Sequence, residues 1–251
     1  MLSLLRNLSI GCLVLSSFPL AQADDQAECK PVLEKAIKAM GGADKLNKLM
    51  AGTWKAKTTA NDNGKELVLL TEGTWQGRNQ IKLDADIQVG GGSQKATLVV
   101  NGENSWLKHG DKTDDAPKEI AQFIKNFSYA MRMPQLLTQL QDKEFALSPL
   151  GELKIDTIEA AGIKITHKDY KEVRVYFDKK EGTPIKAEIT LTDPQSRELT
   201  IEFVFSDYKD FDGIKAPSKI VIRGIDGKDF VNEVSEVKHS EKLDDSAFGK
   251  P

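Results

Sequence analysis

Few residues in this sequence have the type and spacing that chemistry would need. Three histidines are present, His109, His167 and His239. None stands at the short spacing by which paired imidazoles, or imidazoles with thiolates, hold zinc, so no metal is expected. A serine nucleophile would sit in a G-x-S-x-G elbow, but Gly90-Gly91-Gly92-Ser93-Gln94 lacks the last glycine and reads as a turn. Asp210-Phe211-Asp212-Gly213 opens like a calcium loop, yet the third ligand and the distal Glu are missing, which leaves a hairpin. The acid pairs Asp114-Asp115 and Asp244-Asp245 are explained by position, the first as a helix cap and the second as part of a C-terminal turn. No glycine motif that cradles phosphates or a dinucleotide is present. The expectation is a protein that is not an enzyme and carries no cofactor.

The first residues belong to export. Arg6 precedes an apolar run from Leu8 to Leu20 that ends in Ala21-Gln22-Ala23, the pattern of a secretory signal cleaved after Ala23. The run is too short for a stable bilayer anchor, and Asp24-Asp25 follow it directly. Gly11-Cys12 could imitate a lipidation box, but the residues before it are in poor order, so plain cleavage and a periplasmic location are expected. Cys29 is then the one remaining thiol, and the fold must be held by its core without an internal disulfide. Net charge is −3, with lysines interleaved among acids along the chain. A phosphate backbone needs a concentrated basic face, so nucleic acid is excluded as a partner.

Past the leader, periodicity outlines the elements. Pro31 marks a helix start, with Leu33, Ala36, Ile37 and Met40 on one face before Gly41-Gly42. From Thr53 the period becomes two. Ile81, Leu83, Ala85, Ile87 and Val89 alternate with Lys82, Asp84, Asp86 and Gln88, so one face is buried and the other is wet. Turns at Asn61 to Gly64, Gly77 to Asn79, Gly90 to Ser93 and Asn101-Gly102 make this stretch an antiparallel meander. Helical spacing interrupts it: Ile120, Phe123, Ile124, Phe127 and Met131 form an amphipathic stripe. Asp114 or Asp115 can cap it, Pro117 sits in the first turn, and Pro134 ends or kinks it before Leu136, Leu137 and Leu140. From Lys118 to Met133 this helix would be about 24 Å long. Alternation returns after Phe145 and continues to the C-terminus, through rows such as Leu199, Ile201, Phe203 and Phe205. No repeat or linker interrupts the chain, so residues 24–251 read as one domain with a helical segment inserted between two groups of strands.

The C-terminal stretch carries a family likeness. Tyr208-Lys209-Asp210-Phe211-Asp212-Gly213-Ile214-Lys215-Ala216-Pro217, then Lys219-Ile220-Val221-Ile222, and finally Leu243-Asp244-Asp245-Ser246-Ala247-Phe248 before Pro251 resemble the periplasmic lipoprotein carriers of the Lol system and their wider LolA- and LolB-like superfamily. The resemblance implies a mainly β fold: a bent, half-open antiparallel barrel covered by an inserted helical lid and an N-terminal helix, with an apolar cavity that accepts acyl chains. The carriers close their lid with an arginine near the start of the sheet. Here only Arg78 lies between Ala23 and Arg132, so that latch has no obvious counterpart. Cys29 follows Gln26-Ala27-Glu28, which is no lipidation box, so a soluble carrier fits better than a lipidated receptor.

On that reading the binding residues are apolar. Burial of each CH₂ is worth roughly 0.8 kcal/mol, so an acyl chain needs no specific polar contact. Ile120, Phe123, Ile124, Phe127, Met131, Met133, Leu136 and Leu137 would form the movable wall, with flexible methionines adapting to irregular ligands. Trp54, Trp75 and Trp106 would form the opposite wall or the mouth. The expected partners are a lipid or lipoprotein acyl chain and membrane-bound donor or acceptor proteins, and the protein itself is expected to be a monomer. The alternative is an envelope interaction module that uses the same sheet with a solid core. A secreted hydrolase ranks third, since it would need a polar cluster that the sequence does not advertise.

Overall fold

Alternating apolar and polar residues punctuated by glycine turns leave this chain little choice but to pair each strand with the next. The computed structural model describes residues 18–62 and 64–251. A helix, α1 (Phe18–Ala39), and a short turn of helix, α2 (Ala43–Leu46), come first. Six strands follow: β1 (Ala51–Asp62), β2 (Lys65–Gln76), β3 (Gln80–Val89), β4 (Gly92–Asn101), β5 (Asn104–His109) and β6 (Lys112–Asp115). After α3 (Lys118–Met131) and two 3-10 turns come β7 (Phe145–Ile155), β8 (Ile158–His167), β9 (Tyr170–Asp178) and β10 (Pro184–Thr192). Three long strands, β11 (Glu198–Phe211), β12 (Ile214–Ile225) and β13 (Lys228–Ser240), complete the set.

All thirteen strands form one antiparallel sheet in the order β6-β5-β4-β3-β2-β1-β13-β12-β11-β10-β9-β8-β7. The first and last strands pair at its centre, while β6 and β7, consecutive in the chain, are its two edges. A sheet of this width must twist and curl. The result is the half-open barrel with helical cover, and the helical segment lies between the two strand groups as the periodicity predicts. The Asp212-Gly213 turn is a tight hairpin with φ of 57° and 81°, and Asp210 Oδ1 accepts the Gly213 N–H at 2.6 Å.

The larger core gathers Leu33 and Ile37 of α1, Met40 just after it, Leu137 and Leu140 of the 3-10 segment, and the inner residues of β7 to β12. A smaller cluster, Leu98, Val100 and Ala116, lies at the other end of the sheet.

Three local expectations are corrected. Helix α1 does not start at Pro31 but runs through it. A proline at that position donates no backbone bond to the preceding turn. Burial of Cys29 before it, and of Leu33 and Ala36 after it, anchors the helix on both sides of the proline. The expected cleavage point after Ala23 therefore falls inside α1, and residues 1–17, most of the expected leader, lie outside the described residues. Neither Asp114 nor Asp115 caps α3: both belong to β6, and Pro117 holds the N-cap position with no side-chain bond. Edge-strand pairing with β5 takes these two residues out of reach of the helix. Finally, α3 stops at Met131, because Arg132 leaves the helical region before the 3-10 turn Met133–Gln135, which contains Pro134.

Candidate functional site

The site is built from the concave face of β1 to β4 and the lid helix above it. In antiparallel register, Trp54 stands opposite Gly73, and Gly52 opposite Trp75. Each indole lies across the glycine that faces it, and a Cβ at Gly73 or Gly52 would overlap the Trp54 or Trp75 ring respectively. Two missing side chains thus let two large rings lie side by side, 5.7 Å between centroids. Trp75 is fully buried and Trp54 half-buried. The third tryptophan does not join them. Trp106 pairs with Val99, which pairs with Lys82, so its register places it on the outer face, the face on which the C-terminal turn around Phe248 is tied to Asn101.

Helix α3 bridges the two ends of the sheet. Ile120 and Ile124, with Ala121, pack on Leu83, Leu98 and Leu107 of the β3 to β5 end. Phe123, Phe127 and Met131 pack on the larger core, with the Phe127 ring edge-on to Phe203 at 5.0 Å. Met133, Leu136 and Leu137 lie beyond the helix and are fully enclosed in that core. The helix carries its polar ties at its C-terminal end. Asn126 Oδ1 accepts the Lys171 N–H at 2.8 Å, and the Tyr129 ring stacks on Tyr170 at 4.2 Å.

Arg132, directly after the helix, is the residue that sequence reasoning missed. Its guanidinium lies over the Trp75 ring, 5.1 Å from the centroid, and Nη1 donates to the Gly77 carbonyl at 3.3 Å. The side chain is 8% exposed and its Nε has no partner. Burial without a compensating carboxylate pulls its pKa down to about 10. A lone charge in the apolar run Ala130-Met131-Arg132-Met133-Pro134 was the available signal. The turn it touches is tied down from elsewhere too. Arg78 pairs with Glu144 at 2.7 Å, and the Tyr170 hydroxyl donates to Asn79 Oδ1 at 2.6 Å with the Arg78 carbonyl 3.1 Å away. The hydrogen bond from Arg78, and then the His167 imidazole 3.5 Å away, hold the Glu144 carboxyl below its ordinary range.

Between the lid's C-terminal end and the sheet lies a cleft of ≈ 50 Å³, lined among others by Trp54, Trp75, Met131, Arg132, Asn232 and Val234. The buried Thr58 hydroxyl donates to Asn232 Oδ1 at 2.8 Å. Farther along the same face the rows Thr58–Leu69–Ile87 and Ala60–Leu67–Val89 continue past the lid, and Ile87 and Val89 remain 36% and 42% exposed. A wider groove of ≈ 490 Å³ is lined by Lys55, Lys57 and Lys95 with Glu72, Asp84 and Asp86, opposite charges that offset one another across a solvated surface.

Solved structures with this architecture exist. A LolA superfamily protein from Nitrosomonas europaea superposes with a TM-score of 0.60 at 14% identity, covering 88% of this chain and 97% of that one. The two chains share a fold. A putative outer membrane lipoprotein-sorting protein domain from Vibrio parahaemolyticus aligns with a TM-score of 0.54 at 12% identity over 88% of this chain and 95% of its own. A DUF1329 family protein from Desulfovibrio piger gives 0.53 at 16% identity, with 88% and 96% covered. No protein-family model matches the chain, and no curated protein matches it significantly. In this LolA-like fold the described residues hold no group of three or more His, Cys, Asp or Glu that could bind a metal. Cys29 is buried in the core with its thiol pKa pushed up to about 11, first by desolvation and then by Glu28 and Asp25.

Proposed function

We propose that this protein is a periplasmic binder or carrier of lipid or lipoprotein acyl chains, taken up between the concave sheet and helix α3 when the lid lifts. The observation that carries this reading is the division of labour along α3. From Ile120 to Ile124 it rests on apolar contacts to both ends of the sheet, Phe123 on the larger core and Ile120, Ala121 and Ile124 on the smaller cluster, and its polar ties lie from Lys125 onward. An acyl chain can replace apolar contacts with equivalent ones, so lifting that half of the helix is offset by about 0.8 kcal/mol per CH₂ that enters. A group hydrogen-bonded to the sheet would have no such substitute. The uncovered apolar rows around Ile87 and Val89 extend the surface along which a chain can lie.

The LolA-like fold supports this reading and so does an apolar, export-type N-terminal segment. Membrane-bound donors or acceptors are the partners such a carrier would meet in the periplasm. Among the described residues no helix is long and apolar enough to cross a membrane.

The test is native mass spectrometry of protein purified from cells, with displacement of a fluorescent fatty acid in vitro. Bound lipid and displacement are expected, and the absence of both would end the carrier reading. The second reading, a docking module with a solid core, is favoured by the ≈ 50 Å³ cleft, far below the several hundred Å³ of a typical ligand pocket. It predicts that Phe127→Glu lowers stability with no lipid affinity to lose.

A further inference from the structure

Resting on that reading, and narrowing it, we infer that the site takes an amphiphile with an anionic head group, a carboxylate or phosphate, bound by Arg132 on the floor of the cleft. The cleft has one charged residue in its lining, and it is this arginine. Taking a guanidinium out of water is costly unless an anion and further hydrogen bonds replace its hydration. Here the replacement is incomplete. The Trp75 face and one long bond to the Gly77 carbonyl are in place, Nε is unpartnered, and no carboxylate of the described residues pairs with Arg132. The nearby Arg78 is already taken by Glu144, so that acid does not reach the cleft.

The geometry around the unsatisfied donor suits an ionic head on an apolar tail. The guanidinium offers a planar fork that matches two anionic oxygens. Asn232 and Gln135 add amides to the lining, and Met131, Trp54 and Val234 supply the apolar continuation. A volume of ≈ 50 Å³ holds one or two water-sized groups, the scale of a head group alone. The tail would then run under the lifted part of α3 toward Leu69 and Ile87. A lipoprotein's acyl-glyceryl group carries no such anion, so this inference favours a free acidic lipid as the cargo.

The experiment measures displacement of an uncharged naphthylamine probe by dodecanoate, dodecyl phosphate and dodecan-1-ol, all below their aggregation limits. The wild type is expected to prefer at least one anion over the alcohol by about tenfold or more, the scale of a charge-assisted pair in a desolvated site. Arg132→Met should abolish the preference while keeping affinity for the alcohol, and Arg132→Lys should retain part of it. Equal competition by acids and alcohol in the wild type would overturn the head-group assignment and leave the carrier reading standing. No displacement by any of the three would remove both. Should Arg132→Met fail to fold, bromine quenching decides on the wild type. Here 2-bromododecanoate should quench tryptophan emission more strongly than 12-bromododecanoate, and the reverse order would place the head away from Trp75 and overturn the inference.

Discussion

The two ends of the sheet are built from the same kind of alternating strand and yet differ in how their inner face is covered. From β7 to β12 that face meets α1, the 3-10 segment and Phe127 of the lid, and residues such as Ile165, Val173, Val175 and Phe203 are fully enclosed. From β1 to β5 the inner face meets one side of α3 and the turn after it, a small cluster forms around Leu98 and Val100, and the rows through Leu67, Leu69, Ile87 and Val89 lie partly open. One end therefore supplies stability and the other supplies accessible apolar surface. A single sheet can do both because burial is set by what lies on a strand, not by the strand's own pattern.

Substitutions can break or sharpen this contrast. Phe203→Ala removes a fully buried ring that touches the lid, and should cost about 3–5 kcal/mol of unfolding free energy in a chemical denaturation series. Gly73→Ala should cost about 1–3 kcal/mol, because the added methyl meets the Trp54 indole. The near-ultraviolet circular dichroism of the Trp54 and Trp75 pair should change with it. Ile87→Ser, at the open end, should stay within about 0.5 kcal/mol of the wild type in stability. Its effect should appear in weaker binding of an acyl chain. A stability loss as large as that of Phe203→Ala would erase the distinction between the ends.

The smallest effect concerns pH. Glu144 has a folded pKa below its ordinary value, so its contribution is present above the ordinary carboxylate range and is lost as pH falls through the folded value. Glu144→Gln should flatten that acid limb in thermal melts taken from neutral pH downward. An unchanged acid limb would mean that the Arg78 tie contributes nothing to holding the β2–β3 turn.

Much of this arrangement was legible in the residues. Hairpins announced themselves because Asn-Gly and Asp-Gly pairs demand particular backbone conformations. The lid stood out because helical spacing broke a long run of period two. What escaped was set by register and tertiary contact. Trp106 lies between Ser105 and Leu107, so alternation alone does not say which way it points. Its face follows from the two-residue turn that pairs Asn101 with Asn104. The passage of α1 through Pro31 carries Cys29 into the core, a tertiary contact that no local rule contains. Arg132 is distinguished by the Trp75 ring beneath its guanidinium, a contact between β2 and the end of α3 that sequence spacing does not encode.

The order of the strands has a mechanical consequence. Since β6 and β7 are the free margins of the sheet and residues 116–144 run from one to the other, the cover doubles as a drawstring across the gap. Pulling the margins apart stretches that cord, and slackening it lets them approach. On the carrier reading, a cargo that raised the helix would therefore also alter the width of the opening.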